Sequence, residues 1–301
     1  MQNERKGIIA ALIAYMCWGL FPLYWKALAG VGSEEILASR VIWSFILTLL
    51  FVIFIRKSHA LVRDVKALWQ HQKSFWTLML AAYLIMVNWY LYIWAVNHNH
   101  ILETSLGYYL NPIVSILLGI IFLKERLSKI QLIAVAIALI GVVIMMVNYG
   151  RIPYVSLGLA CSFGVYGLLK KRIKLDATRG LIIETAFVLP LALLYYAYLA
   201  YEGKMAFGMV DWKTTVLLIG GGAVTSIPLV LFAIGAQNIP LYLVGFIQYV
   251  SPTLTLLIGV FVYGETFGST ELLSFGFIWV ALAIFSVTTI LDVRKHHHKT
   301  V

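Results

Sequence analysis

WAVNHNHILETSLGYYLNPIVSILLGIIFLKER, residues 94–126, decides the fold, because a degraded copy of it, IGAQNIPLYLVGFIQYVSPTLTLLIGVFVYGET, recurs at residues 234–266. At a constant offset of 140 residues and without a gap, Tyr109 meets Tyr249, Pro112 meets Pro252, Leu117 meets Leu257, Gly119 meets Gly259 and Glu125 meets Glu265. Asn97 likewise faces Gln237, and Asn111 faces Ser251. The shared prolines, glycines and carboxylates are residues an apolar helix tolerates poorly, and composition alone rarely places them in step. The chain therefore reads as two related halves, 1–149 and 150–301.

With 61% hydrophobic and 12% charged residues, the preferred surroundings of such a chain are hydrocarbon, and no stretch is long and polar enough for a separate soluble domain. A net charge of +10 invites a nucleic-acid partner, but the basic residues sit in short clusters between apolar runs, which is how a lipid bilayer orients a membrane protein. No nucleic-acid partner is expected. Cys17 and Cys161 both lie inside apolar runs and read as packing residues without a disulfide framework. Glu4-Arg5-Lys6, an apolar run and Ala27-Leu28-Ala29 imitate a cleavable secretory signal. The run is too long for a signal core and carries Trp18, Pro22 and Trp25, with Lys26 before the apparent cleavage site, so retention is expected.

On the scale of about twenty residues per bilayer crossing, spans fall at roughly 7–28, 36–55, 75–97, 101–123 and 130–148, then 153–170, 180–200, 213–236, 241–263 and 271–291. The expected fold is an all-α polytopic membrane protein, its ten transmembrane helices arranged as two five-helix repeats. Five being odd, the second repeat enters from the opposite face, an inverted repeat. Loop charges agree. Arg5, Lys6, Arg56, Lys57, Arg63, Lys66, Lys73, Lys124, Arg126, Lys129, Lys170, Lys171, Arg172, Lys174, Arg179, Arg294, Lys295 and Lys299 fall in one set of alternate segments, and only Arg151, Lys204 and Lys213 in the other. Eighteen against three places both termini in the cytoplasm.

Five of the seven prolines, Pro22, Pro112, Pro190, Pro228 and Pro252, fall inside spans, where each removes a helix hydrogen bond. Pro22, Pro112, Pro228 and Pro252 are candidate bends, and Gly220-Gly221-Gly222 marks span eight as a weak or bent helix. Charges within spans are few. Lys26 and Arg40 near the outer ends either attract an anionic group or snorkel to the surface, with Glu34 and Glu35 as neighbouring ion-pair partners. Glu103, in the first turn of span four, reads as a structural cap. Glu125 and Glu265 stand at helix carboxyl ends, where the dipole disfavours them, and read as clamps on the free amides of the following helix. Glu184 pairs with a basic loop residue or titrates, and is the candidate proton site. Asn88, Asn111 and Gln248 need partners that lipid does not offer. With Trp18, Tyr24, Trp43, Trp89, Trp94, Tyr108, Tyr109, Tyr166 and Tyr249 they can form a cavity wall of amides and aromatic faces, although Tyr and Trp also populate membrane interfaces without any further role.

The pattern of Trp18-Gly19 and Pro22, the Asn111-Pro112 and Ser251-Pro252 pairs, and the endings from Gly119 to Glu125 and Gly259 to Glu265 resemble the EamA proteins of the drug/metabolite transporter superfamily. AYMCWGLFPLYWK, EEILASRVIWSF, NWYLYIWAVNHNHILETSLGYYLNP and FIWVALAIF are similar to its RarD branch, named for chloramphenicol sensitivity. The resemblance implies a bacterial inner-membrane carrier with a central cavity contributed mainly by spans one, three, four, six, eight and nine. It further implies export of small amphipathic metabolites or drugs, amino-acid-like or chloramphenicol-like. Neither catalytic residues nor a cofactor is expected, and Asn97-His98-Asn99-His100 and His296 to His298 lack the spacing of a zinc site. The partners expected are a small-molecule solute and the lipid bilayer, with the chain a monomer or homodimer. One rival reading is a membrane-embedded acyltransferase built on His59 and Asp64, whose spacing allows an aspartate to orient a histidine base. Another is a lipid flippase or scaffold, favoured if the midplane is dry.

Overall fold

Long apolar runs broken by proline, glycine and basic clusters fold entirely as helix in the computed structural model, which describes residues 2–97, 101–150, 152–264 and 268–298. Glu265 and His98 to His100 lie outside these residues. The helices are α1 Gln2–Gly19, α2 Phe21–Lys26, α3 Ser33–Phe54, α4 Ser58–Gln70, α5 Gln72–Asn97, α6 Ile101–Leu123 and α7 Lys129–Tyr149. They continue with α8 Tyr154–Arg172, α9 Ala177–Glu202, α10 Trp212–Asn238, α11 Leu241–Gln248, α12 Val250–Tyr263 and α13 Ser269–His298. Among the described residues nine helical stretches are long and apolar enough to cross a membrane. Their outer faces carry exposed residues such as Ile121, Val147 and Phe261, which suit lipid.

The helix at the expected sixth span, α8, is not among the nine. Its Ser156, Gly158, Ser162, Gly164 and Gly167 dilute its apolar character, and three basic residues close it. It packs against α5, α6 and α10, so protein rather than lipid meets much of its surface, and small residues there allow close approach. Cys161 differs from the expectation in the opposite sense, since it is exposed on this helix instead of packed. The segment read as a basic loop after the second span contains a helix that the sequence reading missed, α4. Leu61, Val62, Val65, Leu68 and Trp69 recur at helical spacing along it, the pattern of a helix lying at an interface.

Prolines act unequally. The first and ninth spans are each interrupted at one residue, Leu20 and Tyr249, shortly before Pro22 and Pro252. Both interrupting residues keep right-handed helical dihedrals, so the axis bends without turning back. Pro112, Pro190 and Pro228 lie inside the unbroken α6, α9 and α10. The glycine run in α10 is likewise no break. A Cβ on Gly222 would lie 2.5 Å from that of Trp43 and closer still to the Trp43 carbonyl carbon, while Ser44 Oγ donates to the Gly222 carbonyl at 3.0 Å. The glycines let α3 and α10 touch backbone to backbone.

Helix pairs join the first and second halves of the chain throughout: α1 with α10 and α12, α3 with α9 and α10, α5 with α8 and α9, α6 with α8 and α11, α7 with α13. The repeated stretches meet directly, with Tyr249 Oη donating to the Tyr109 carbonyl at 3.5 Å and Gly245 set against the Pro112 carbonyl. Gly222→Ala is expected to separate α3 from α10 and lower stability by about 1–3 kcal/mol, the usual range for overpacking. Unfolding of the purified protein in detergent checks this.

Candidate functional site

Arg40 sits seven residues into α3, roughly 10 Å from its start at 1.5 Å per residue. Its Nε donates to Thr225 Oγ1 of α10 at 2.9 Å. The guanidinium lies over the rings of Trp25 at 4.9 Å and Trp89 at 4.4 Å, from α2 and α5. Tyr92 of α5 and Tyr108 of α6 stand near enough to interact with its charge and have their own rings 5.9 Å apart. Five helices from both halves thus converge on one cation. Tyr24 braces the wall, its Oη donating to the Leu217 carbonyl at 2.6 Å beside Gly220, and Trp43 packs on Phe207.

The buried carboxylates are held by donors other than Arg40. Glu35 accepts from the amides of Ala206 and Phe207 at 2.9 to 3.0 Å, binding the α9–α10 connection to α3 instead of pairing with a cation as its position suggested. Glu103 accepts from Tyr149 Oη at 2.6 Å and from the Val155 amide at 2.9 Å. Glu184 pairs with Lys170 Nζ at 2.5 Å, both side chains 2% exposed, and accepts from Tyr166 Oη at 3.3 Å. Among the described residues no carboxylate reaches Arg40.

Glu125 corrects the expected clamp. Its two oxygens accept from the amides of Leu241 at 2.7 Å and Tyr242 at 2.9 Å, the start of α11 in the other half and not of the next helix. The next helix, α7, has its own capping box from Ser128 and Gln131. Around Glu125, Lys171 Nζ donates to the Ile239 carbonyl at 2.5 Å and Gln237 Nε2 to those of Ile173 and Leu175 at 3.3 and 3.0 Å. At this end backbone-directed hydrogen bonds join the halves at Glu125 and tie α8 to the end of α10 within the second half.

The remaining predicted residues divide. Asn111 and Gln248 are both 4% exposed. Gln248 Oε1 accepts from Tyr15 at 3.4 Å and Ser115 at 3.5 Å, whereas Asn111 Oδ1 is buried with no partner. Asn111 lies three residues beyond Tyr108 on α6, toward the Glu125 end, so the polar set continues inward from Arg40. Asn88 Nδ2 donates to the Leu159 carbonyl at 2.8 Å and to Ser162 Oγ at 2.9 Å, tying α5 to α8. Trp18 joins Tyr15, Phe163 and Phe232 in an aromatic cluster. Tyr166, Tyr249 and Tyr109 are 0%, 1% and 7% exposed, the first stacked on Phe232 and the last meeting Phe275 edge to face, and in this conformation they are packed in the core. Lys26 is exposed over the Tyr263 ring at 3.6 Å, apart from Arg40. Sequence reasoning missed Trp25, Tyr92 and Thr225 as companions of Arg40; proximity to a charge on another helix is not a signal a linear pattern carries.

The acyltransferase geometry is not formed. On a helix, residues five apart point about 140° from each other. Asp64 is engaged by Arg179 Nε at 2.5 Å, from α9.

A bundle of apolar helices pairing its two halves around a buried cluster of arginine, aromatic rings and one hydroxyl suits a membrane carrier, and comparison with known proteins agrees. Residues 5–147 match the EamA-like transporter family. The chain is 47% identical to the uncharacterized transporter YojE of Bacillus subtilis over 96% of both chains, and 42% identical to protein RarD of Escherichia coli K12 over 98% of both. It is 31% identical, over the full length of both, to the chloramphenicol-sensitive protein RarD of Pseudomonas aeruginosa. A solved crystal structure shares the fold with a TM-score of 0.69 at 17% identity, covering 94% of this chain and 98% of that one. The chain belongs to the EamA-like transporter family, as a RarD-type member, and is a multi-pass membrane protein.

Glu184→Gln leaves Lys170 buried without its counter-charge and is expected to lower stability by about 3–5 kcal/mol. The double substitution Lys170→Met with Glu184→Gln recovers most of that loss, as read from unfolding of each variant in detergent.

Proposed function

We propose that the protein exports small amphipathic solutes, amino-acid-like or chloramphenicol-like, across the bacterial inner membrane by alternating access. Both termini face the cytoplasm, and residues 1–149 and 150–301 form two inverted five-helix repeats, with α8 as the sixth span completing ten. The observation that carries the reading is Arg40, a charge two turns inside a span with no carboxylate beside it among the described residues, reached by aromatic residues of the first half and by Thr225 of the second. A purely structural arginine at that depth would cost roughly 2.5–3.5 kcal/mol on insertion scales without compensation, so a wet cleft fits it better. The inter-half pairings support inversion, because exchanging equivalent spans turns α1 on α10 into α8 on α5, and α6 on α8 into α11 and α12 on α1.

In the conformation described, the Glu125 end is sealed and the Arg40 cleft belongs to the opposite, periplasmic side. Release of Glu125 from α11 opens the cytoplasmic end as the halves rock. Pro22 and Pro252, at the interrupted spans, supply the bends, with Pro112 and Pro228 as further points of give. Glu265 performs at the periplasmic end the role of Glu125, and Glu184 with Lys170 is the group through which proton coupling would act. One chain contains the complete site, so a monomer suffices. The RarD name of the relatives and the absence of a formed His59 and Asp64 pair support transport over catalysis.

Reconstituted protein is expected to accelerate uptake of at least one amino acid or drug into proteoliposomes; no movement of any such solute under any gradient contradicts the reading. Glu125→Ala removes two charge-assisted hydrogen bonds of about 1.5–3 kcal/mol each and is expected to slow uptake by roughly tenfold or more.

A further inference from the structure

Resting on the transport reading, the geometry points to a substrate class: we infer that Arg40, Trp25 and Trp89 bind the carboxylate and flat apolar body of a small organic anion, and reject cations of the same shape. The bond that fixes Arg40 uses only Nε, on Thr225, whose side chain is itself buried. A guanidinium carries five donors, and Nε accounts for one. The two terminal nitrogens, with four donors between them, are the pair that matches the two oxygens of a carboxylate end-on. Thr225 therefore sets the orientation of the fork without filling it.

Among the described residues no protein carboxylate occupies that fork. Glu35, five residues earlier on the same helix, is turned to the amides of Ala206 and Phe207, and Glu103, Glu125 and Glu184 are held by partners on other helices. Each commitment removes a resident competitor for an incoming anion. The aromatic neighbours supply the second half of the recognition. Trp25 and Trp89 cover the guanidinium with ring faces, which stabilise a cation while leaving its in-plane edge free. Tyr92 and Tyr108, beside the guanidinium, keep 36% and 43% of their surface exposed and offer edges and faces to a flat body. One turn deeper, the unpartnered Asn111 Oδ1 accepts a hydrogen-bond donor at the far end of the same solute. A cationic solute would meet like charge at Arg40, with no carboxylate among the described cleft residues to offset it.

The test uses the full chain purified in detergent and the probes indole-3-acetate and tryptamine, which share a ring and differ in the sign of their charge. Phenylglyoxal modifies accessible arginine, and mass spectrometry of the Arg40 peptide reads the rate. Millimolar indole-3-acetate is expected to slow modification of Arg40 by roughly tenfold, the scale of one bidentate charged contact, while tryptamine leaves it unchanged. Because this readout needs no substitution, it does not depend on a variant folding. A second measurement follows thermal unfolding: indole-3-acetate raises the melting temperature of the wild type and not of Arg40→Gln, with Arg40→Lys between them. Equal protection by tryptamine, protection by phosphatidylglycerol micelles but not by the carboxylate, or no protection by indole-3-acetate at millimolar concentration would each overturn the inference. Both assays read binding, so a protein that binds the anion without moving it across proteoliposomes sinks the transport reading and leaves this one standing. A protein that moves solutes with Arg40 unprotected does the reverse.

Discussion

Everything in this bundle is arranged around the cost of leaving charge and backbone polarity unsatisfied in hydrocarbon. Glu35, Glu103 and Glu125 meet it by accepting from backbone amides, each at a place where one helix begins or a loop turns beneath another. Glu184 meets it with Lys170. Each carboxylate so held also joins segments distant in sequence, so charge compensation and tertiary structure are the same set of contacts. Arg40 is treated differently, being given ring faces and one hydroxyl, and that difference separates the cleft from the scaffold.

Backbone approach makes such contacts reachable. Gly119 lies against the Glu125 carboxylate, Gly222 against Trp43, Gly235 against Ala11 and Gly245 against the Pro112 carbonyl, so small residues line the surfaces where the halves meet. Without a hydrophobic driving force between helices in lipid, close packing of this kind and hydrogen bonds across it hold the bundle together. The contact of Glu125 with α11 combines both, since the Leu241 amide is bonded while the Leu241 side chain belongs to the apolar core with Tyr15, Tyr166 and Phe232.

Much of this was legible in the chain. The repeated prolines, glycines and carboxylates announced helices that cross repeatedly, and the scarcity of charge inside spans singled out Arg40, Glu103, Glu125 and Glu184. Partners were harder. Sequence shows that a carboxylate at a helix end needs donors, yet the nearest free amides along the chain and the nearest in space differ when halves interleave, which is why Glu125 was assigned to the wrong helix. The glycine run of α10 read as weakness because propensity describes an isolated helix, whereas packing against α3 uses the missing side chains. Lys26 and Arg40 looked alike because both sit near span ends; rotation about the helix axis, which alone decides lipid or cleft, is carried by neighbouring helices. The burial of Tyr166 and Tyr249 was hidden for the same reason, and α4 was lost because its basic residues outweighed its helical spacing.

The central claim is that the Arg40 cleft opens on one side of the membrane while the Glu125 end is shut. Thiol labelling measures this most directly. In a chain freed of cysteine by Cys17→Ser and Cys161→Ser, a Tyr108→Cys reporter is exposed to membrane-impermeant maleimide in right-side-out and in inverted vesicles. The account predicts rapid labelling in right-side-out vesicles and protection in inverted ones. Labelling from the cytoplasmic face alone, or from neither, would contradict it.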